Sequence, residues 1–229
     1  MNMQSAKRHS CKLLVVCGPT ATGKTSLGFK LAKMFGGEII SADSRQVYKH
    51  MDIGTGKEWD PEIKIWGYDL VSPTENFSVS DYFREMKVVI DSIWNNNKLP
   101  IIVGGTGLYI KSLIGGIPTV DIPKNDNLRE SLEKMTTTEQ FEKLASLDSS
   151  KAASMNSSDR MNSRRLVRAI EVAVWNIENS LQKKVIAKRE NVLPDNTQVL
   201  QIGLTSSREV LLNNIKNRVE KRMNEGFID

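Results

Sequence analysis

The stretch "LLVVCGPTATGKTSLGFKL", Leu13 to Leu31, limits the possible folds more than any other part of the chain. Leu13 to Val16 form an apolar run without polar alternation, which predicts a short strand buried on both faces, as in parallel sheets. The next eight residues, Gly18 to Thr25, fit the pattern G-x-x-x-x-G-K-[ST] at every fixed position. A helix is predicted after them, with Leu27, Leu31 and Met34 on its apolar side and Gly36-Gly37 as its stop. In this context glycines let backbone N–H groups curl round phosphate oxygens, the lysine neutralises the outer oxygens, and the helix dipole adds to both. Gly18, Thr20, Ala21, Thr22, Gly23, Lys24 and Thr25 are therefore the expected phosphate cradle, with the Thr25 hydroxyl as a ligand for Mg2+. Read alone, the loop points to a bound nucleotide, ATP first.

The same rhythm continues along the chain. "GEIISADS" predicts a second strand ending at Asp43, "KLPIIVGG" a third and "TQVLQIGLT" a fourth. Between them, "FSVSDYFREMKVVIDSIWNNN" reads as a helix capped by Ser78 or Ser80, with Tyr82, Met86, Val89 and Ile93 on one side. "TGLYIKSLIGG" reads as a short helix and "SREVLLNNIKNRVEKRMNEG" as a long last one. "YKHMDIGTGKEWDPEIK" is turn-rich and is expected to be a mobile loop. From Pro118 to Arg189 helical patterns follow one another with no strand between them. The predicted fold is an α/β, P-loop NTPase-like parallel sheet flanked by helices, with a helical insertion subdomain. Residues 1–117 are its first part, 118–190 the insertion, and 191–229 the return to the core.

Composition excludes several classes. A chain of 229 residues, 39% hydrophobic, can bury a core as one domain carrying an insertion. No apolar run reaches the roughly 20 residues that cross a bilayer, and "MNMQSAKRHSCK" has no apolar centre of a secretory signal. No membrane partner is expected. Two cysteines, Cys11 and Cys17, argue for a reducing, cytoplasmic setting, and two histidines leave little material for a Cys/His zinc site. The net charge of +5 is uneven: Arg160 to Arg189 hold eight Lys/Arg against two Glu, a local +6. Such a stretch is either a solvated helix face or a surface for nucleic-acid phosphates.

Several residues outside the loop invite chemistry. Asp43 lies at a strand's carboxyl end, where open α/β sheets bind ligands; it could hold Mg2+ through water, accept a proton, or make an Asx turn. "VGGTGLY", Val103 to Tyr109, ends the third strand in Gly104-Gly105-Thr106, where an ordinary Walker B strand ends in an acid. Arg218 and Arg222, four apart, share one helix face that could clamp an anion or simply be solvated. In "RRLVRAIEV", Arg165 and Arg168 share a face opposite the stripe of Leu166, Ile170 and Val174. Tyr82, Phe83 and Trp94 are read as core, and His9 and His50 receive no role.

"GPTATGKT", "SADSRQVYKHMDIGTGK", "VGGTGLY" and "RRLVRAIEV", in this order and spacing, resemble the tRNA dimethylallyltransferase (tRNA isopentenyltransferase) family from about Leu13 to Phe227. The resemblance implies transfer of a five-carbon prenyl group from dimethylallyl diphosphate to N6 of the adenosine just 3′ of the tRNA anticodon. It further implies that the phosphate loop holds a diphosphate leaving group, with Arg218 on the same group. By the same resemblance Asp43 is the general base and Thr106 a second catalytic residue, hydrogen-bonding near the bridging oxygen. Asp43, Ser44, Arg45 and Gln46 match positions at the target base, and Arg129, Arg164, Arg165 and Arg168 match contacts to the tRNA anticodon stem-loop. A cytoplasmic monomer using Mg2+ is expected.

The chain also departs from the family pattern. Where the family commonly carries Pro-His-His ahead of an acidic-apolar stretch, this chain reads "KIWGYDLVSP", although Asp69 and Pro73 fit. His50 and Gly56 stand where Gly and Ala are usual. Family members usually continue for tens of residues past the "EGF" match, whereas this chain stops at Asp229, as a naturally short form or as a truncated product; binding of tRNA is what such a loss would weaken most. Three other readings stand beside the prenyltransferase. A P-loop small-molecule kinase is opposed by Gly-Gly-Thr at the third strand's end. A prenyltransferase of free adenine nucleotides is opposed by the arginine-rich insertion. An inactive tRNA-binding remnant is opposed by the intact Gly23, Lys24, Thr25, Asp43 and Thr106.

Overall fold

A computed structural model of the chain describes residues 11–179 and 193–228. The N-terminal ten residues and the end of the basic stretch, Lys183 to Arg189, lie outside them. The chain divides into two compact units, residues 1–117 with 191–229, and residues 118–190.

The first unit is built on a parallel sheet of β1 (Lys12–Cys17), β2 (Gly37–Ala42), β3 (Ile65–Trp66), β4 (Leu99–Gly104) and β5 (Gln198–Gly203), in the order β3-β2-β4-β1-β5. Every pairing is parallel. The helices of this unit are α1 (Lys24–Phe35), α2 (Asp52–Thr55), α3 (Val79–Asn95) and α4 (Gly107–Gly115), and a last helix, Arg208–Asn224, follows β5. The apolar runs of β1, β2 and β4 lack alternation because both faces are covered. Leu14, Val16, Ile39, Ile101 and Val103 pack with Leu27, Leu31 and Ala32 of α1. Leu13, Val15, Ile40 and Ile102, which alternate with them, are also buried and point to the opposite face. There Tyr82 of α3 is fully buried, stacks on Tyr109 of α4 with centroids 3.8 Å apart, and donates its hydroxyl to the Ser41 carbonyl at 2.9 Å.

The entry to α3 is a capping box: Asp81 N–H donates to the Ser78 hydroxyl, and the Asp81 carboxylate accepts from the Ser78 backbone, so Ser78 is the cap and not Ser80. Register sets the strand ends level, with Cys17 opposite both Gly104 and Gly203, and Gly104 opposite Ala42. The residues that follow Cys17, Gly104 and Ala42, which are Gly18, Gly105 and Asp43, therefore emerge on one edge.

The turn-rich stretch read as a mobile loop carries fixed points. It contains α2 and leads into β3, a two-residue strand too short to leave a periodic signal. The Lys57 side chain is fully buried and donates to the Tyr48 carbonyl at 2.8 Å and to Asp52 and Asp69 at 2.6 Å each. The three donors of its ammonium are all used, which is what a buried cation requires.

In the second unit the helices are α5 (Asp126–Glu133), α6 (Thr137–Leu147), α7 (Ser149–Ser154), α8 (Ser157–Arg160) and α9 (Ser163–Glu178). Each starts on a side-chain cap, from Asn125, Thr136, Asp148, Asn156 and Asn162 in turn. Its own core gathers Leu132, Leu144, Met155, Leu166 and Ile170. We label the helix after β5 (Arg208–Asn224) α10. Among the described residues no helix is long and apolar enough to cross a membrane.

Candidate functional site

The phosphate loop leaves β1 with three left-handed residues, Gly18 (φ 143°), Ala21 (φ 66°) and Gly23 (φ 83°). Gly18 has to be glycine, because a Cβ there would strike the Leu204 carbonyl. Inside the loop, the Pro19 carbonyl accepts from the Lys24 ammonium at 2.6 Å and from the Thr22 hydroxyl at 2.9 Å. Asn214 of α10 donates to the Ala21 carbonyl at 3.0 Å, tying the last helix to the loop. Burial draws the Lys24 pKa below its ordinary value; the Asp43 carboxylate opposes that, and the Arg218 charge adds to it. Lys24 thus stands between one carboxylate and one guanidinium, half-buried, where a further anion would favour its charged form.

Asp43 and Thr106 come to the same edge. The Asp43 Oδ1 accepts from Arg45 N–H at 2.9 Å, so Asp43 does form the Asx turn that competes with a catalytic reading. That turn occupies one oxygen of a carboxylate that has about four acceptor sites, and the two roles are compatible. Thr106 N–H donates to the Ala42 carbonyl at 3.0 Å, and its hydroxyl accepts from Ser44 N–H at 3.0 Å. The ends of β2 and β4 are therefore tied side chain to backbone. Gly105 approaches the loop closely, and a Cβ there would lie 3.5 Å from the Gly18 carbonyl and 3.9 Å from the Lys24 ammonium. Gln46 is buried and engaged at both ends, accepting from the Ser41 hydroxyl at 2.7 Å and donating to the Gly56 carbonyl at 3.0 Å. Arg45 is exposed.

Two cavities flank the loop. One of about 280 Å³ is lined by Lys24, Thr25, Glu58, Asn214, Asn217 and Arg218 among others. The other, of about 580 Å³, lies against Gly18, Pro19, Gly105, Ile110 and Ile114. Arg218 thus shares a cavity with Lys24 and Thr25, whereas Arg222, expected on the same helix face, does not line it. Asn214, four residues before Arg218, is a neighbour that the same spacing could have identified.

The arginines expected at tRNA divide into two kinds. Arg129 donates to both oxygens of Glu171, at 2.6 and 2.7 Å. Arg168 donates to Glu171 at 3.0 Å and to the carbonyls of Thr119 and Ile122 at 3.0 Å each. Expected on the face away from the apolar stripe, Arg168 is instead partly buried and turned onto Glu171. Burial alone would push the Glu171 carboxyl up, but Arg129, the Asn125 N–H and Arg168 together outweigh it and hold the pKa down at about 2. Arg164 and Arg165 remain exposed, Arg165 paired with Asp159.

Comparison with known proteins shows the family. Residues 46–229 match the family model described as IPP transferase. A tRNA dimethylallyltransferase of Streptococcus agalactiae serotype Ia is 41% identical over 224 residues, covering 95% of this chain and 70% of that protein. The full-length tRNA isopentenylpyrophosphate transferase of Bacillus halodurans superposes with a TM-score of 0.61 at 35% identity, over 95% of this chain and 68% of the other. A eukaryotic dimethylallyltransferase solved while acting on tRNA superposes with a TM-score of 0.75 at 26% identity, over 95% of this chain and 54% of the other. A family model that matches residues 46–229 and a relative 41% identical over 95% of the chain leave one conclusion: the chain belongs to the IPP transferase family, that of the tRNA dimethylallyltransferases.

Proposed function

We propose that this chain transfers a dimethylallyl group from dimethylallyl diphosphate to N6 of the adenosine 3′ of the anticodon in tRNA, acting as a cytoplasmic monomer. The observation that carries the reading is the level edge of β1, β2 and β4, which brings a phosphate loop, a carboxylate and the Gly-Gly-Thr end together without a Walker B acid. An enzyme that holds a diphosphate as leaving group needs the loop but has no hydrolytic water to activate.

In the step proposed, the N6 amine attacks C1 of the dimethylallyl group and the C1–O bond breaks. Its electron pair leaves with the diphosphate, and the displaced N6 proton passes to Asp43. The backbone of Gly18–Gly23, with Lys24 and Arg218, binds the diphosphate and offsets the charge it gains. Thr106 fixes Ser44 and with it the turn that aims Asp43. The adenosine has to leave its stack to reach such an edge. Among the described residues no cluster of three or more His, Cys, Asp or Glu is formed to hold a metal. The Thr25 hydroxyl, a hard-oxygen donor lining the cavity of Lys24, would hold an Mg2+ there. When bound, that ion would neutralise charge on the leaving group.

The test offers radiolabelled dimethylallyl diphosphate and Mg2+ with tRNA, AMP or ATP as acceptor. Label is expected in tRNA alone; label in AMP, or ATP turnover without prenyl transfer, overturns the reading. The exposed pair Arg164 and Arg165 gives a second expectation. With both changed to Ala, tRNA binding should weaken and the slope of log K against log salt should fall by about 1.5, near 0.7–0.9 for each phosphate no longer neutralised. Titrations across a salt series measure it, and an unchanged slope removes those two residues from the tRNA surface.

A further inference from the structure

Arg222, one turn beyond Arg218 on α10, has no part in the step above, yet several features of the fold place it. Its Nη1 donates to the Gly54 carbonyl at 2.9 Å. Gly56 sits in the left-handed region (φ 65°), and a Cβ there would run into the Nη2 of Arg222 and the Nη2 of Arg218 alike. The two guanidiniums therefore meet over the bare Cα of one glycine. Gly54 is covered in turn by the Phe227 ring, which a Cβ would approach to 2.7 Å. Neither arginine makes an ion pair with a carboxylate among the described residues. Burial and, next, the Arg218 charge lower the Arg222 pKa, while Glu225, Asp43 and Glu58 act against them. Two like charges pressed together and partly desolvated repel each other, and a shared anion turns that repulsion into attraction.

We propose that Arg222 is a second guanidinium for the diphosphate, meeting it beside Arg218, and that Gly56 is the residue whose missing side chain admits it. Arg218 lines the cavity of Lys24 and Thr25, and the Arg222 guanidinium, which does not line it, meets that of Arg218 over Gly56. The assignment rests on the diphosphate reading of the site, but it concerns an anion and makes no demand on the acceptor.

Calorimetric titration of the full chain with magnesium pyrophosphate reads it directly. Arg222→Gln is expected to raise the pyrophosphate Kd about tenfold, the scale of one charge-assisted hydrogen bond. Gly56→Ala, which displaces both guanidiniums, should weaken binding at least as much, and the double variant should bind no more weakly than Gly56→Ala alone, since that substitution already removes the Arg222 contact. Arg222→Lys, which keeps the cation and loses the fork, should fall between wild type and Arg222→Gln. Melting separates this role from mere anchoring of Gly54. The rise in Tm that pyrophosphate produces should shrink in each variant, whereas a simple anchor would lower the Tm of the free protein and leave that rise intact. A wild-type pyrophosphate Kd in folded Arg222→Gln or Arg222→Lys protein overturns the proposal. Failure of the wild-type protein to prenylate tRNA would instead strike the proposed function, and the pyrophosphate titrations would still decide the role of Arg222.

Discussion

Asp43→Asn is expected to lower kcat for prenyl transfer to tRNA by about 10³-fold, within the 10²–10⁴ that a positioned general base contributes, with the KM for dimethylallyl diphosphate nearly unchanged. Asparagine has the same shape as aspartate, and its carbonyl can keep the 2.9 Å hydrogen bond from Arg45 N–H that closes the turn. The tie between Ser44 N–H and the Thr106 hydroxyl does not involve the carboxylate and should persist. What disappears is the atom that accepts the N6 proton, since an amide nitrogen there is a donor. Asp43→Ala would remove the turn as well, and its defect would mix chemistry with placement. The substitution also removes the charge that supports the Lys24 ammonium against burial, so pyrophosphate affinity should be measured in parallel. Steady-state kinetics with tRNA as acceptor decide the matter. A kcat within a few-fold of wild type, with intact Lys24 function, would exclude Asp43 as the base.

How much of this was readable in the residues depends on the range over which each interaction acts. The phosphate loop and its strand were legible because spacing alone fixes the geometry: eight contiguous residues between an apolar run and an amphipathic one. Asp43 and Thr106 were legible as strand ends, and the sheet register then brought Thr106 to Ser44, the neighbour of Asp43, across 62 residues of chain. Lys57 was not legible. No periodicity marks a lysine whose partners lie at positions 48, 52 and 69, and its turn-rich surroundings suggested mobility. Arg222 was half legible, since its helical spacing to Arg218 was plain but the glycine that receives both lies on a distant loop. The arginines of the insertion show the same limit. Glu171 could be paired with Arg168 at i,i+3, but nothing local shows that Arg129, 42 residues earlier, reaches the same carboxylate.

That convergence carries the second large expectation. Glu171→Gln should destabilise the 118–190 unit by about 3–5 kcal/mol, the cost of removing one member of a buried ion pair and leaving the other uncompensated. Glu171 is 2% exposed and meets Arg129, Arg168 and the Asn125 N–H at once, so glutamine, with one acceptor oxygen and an added donor, cannot satisfy all three. The pH dependence should follow the same residue. Its folded pKa, about 2, lies below the ordinary 4.5, and a depressed carboxyl contributes stability above its unfolded pKa that is lost as pH falls through the folded one. At about 1.4 kcal/mol per unit, roughly 3 kcal/mol should disappear between pH 4.5 and 2 in the wild type, and the Gln variant should lose less there, keeping the contribution of carboxylates such as Glu139, whose pKa its capping hydrogen bonds also lower. Hydrogen exchange of the α9 amides, residues 163–178, reads this unit separately from the sheet. Arg129 and Arg168 enter the result in a second way. Held by Glu171, each keeps about 30% of its side chain exposed, so a nucleic-acid phosphate could meet only their outer edges. If they contribute to tRNA binding, the Gln variant should lose affinity with the ordering of that edge even though its net charge is one unit more positive. A variant that binds tRNA more tightly, as charge alone would dictate, would instead assign both arginines to the fold and leave the nucleic acid to Arg164 and Arg165.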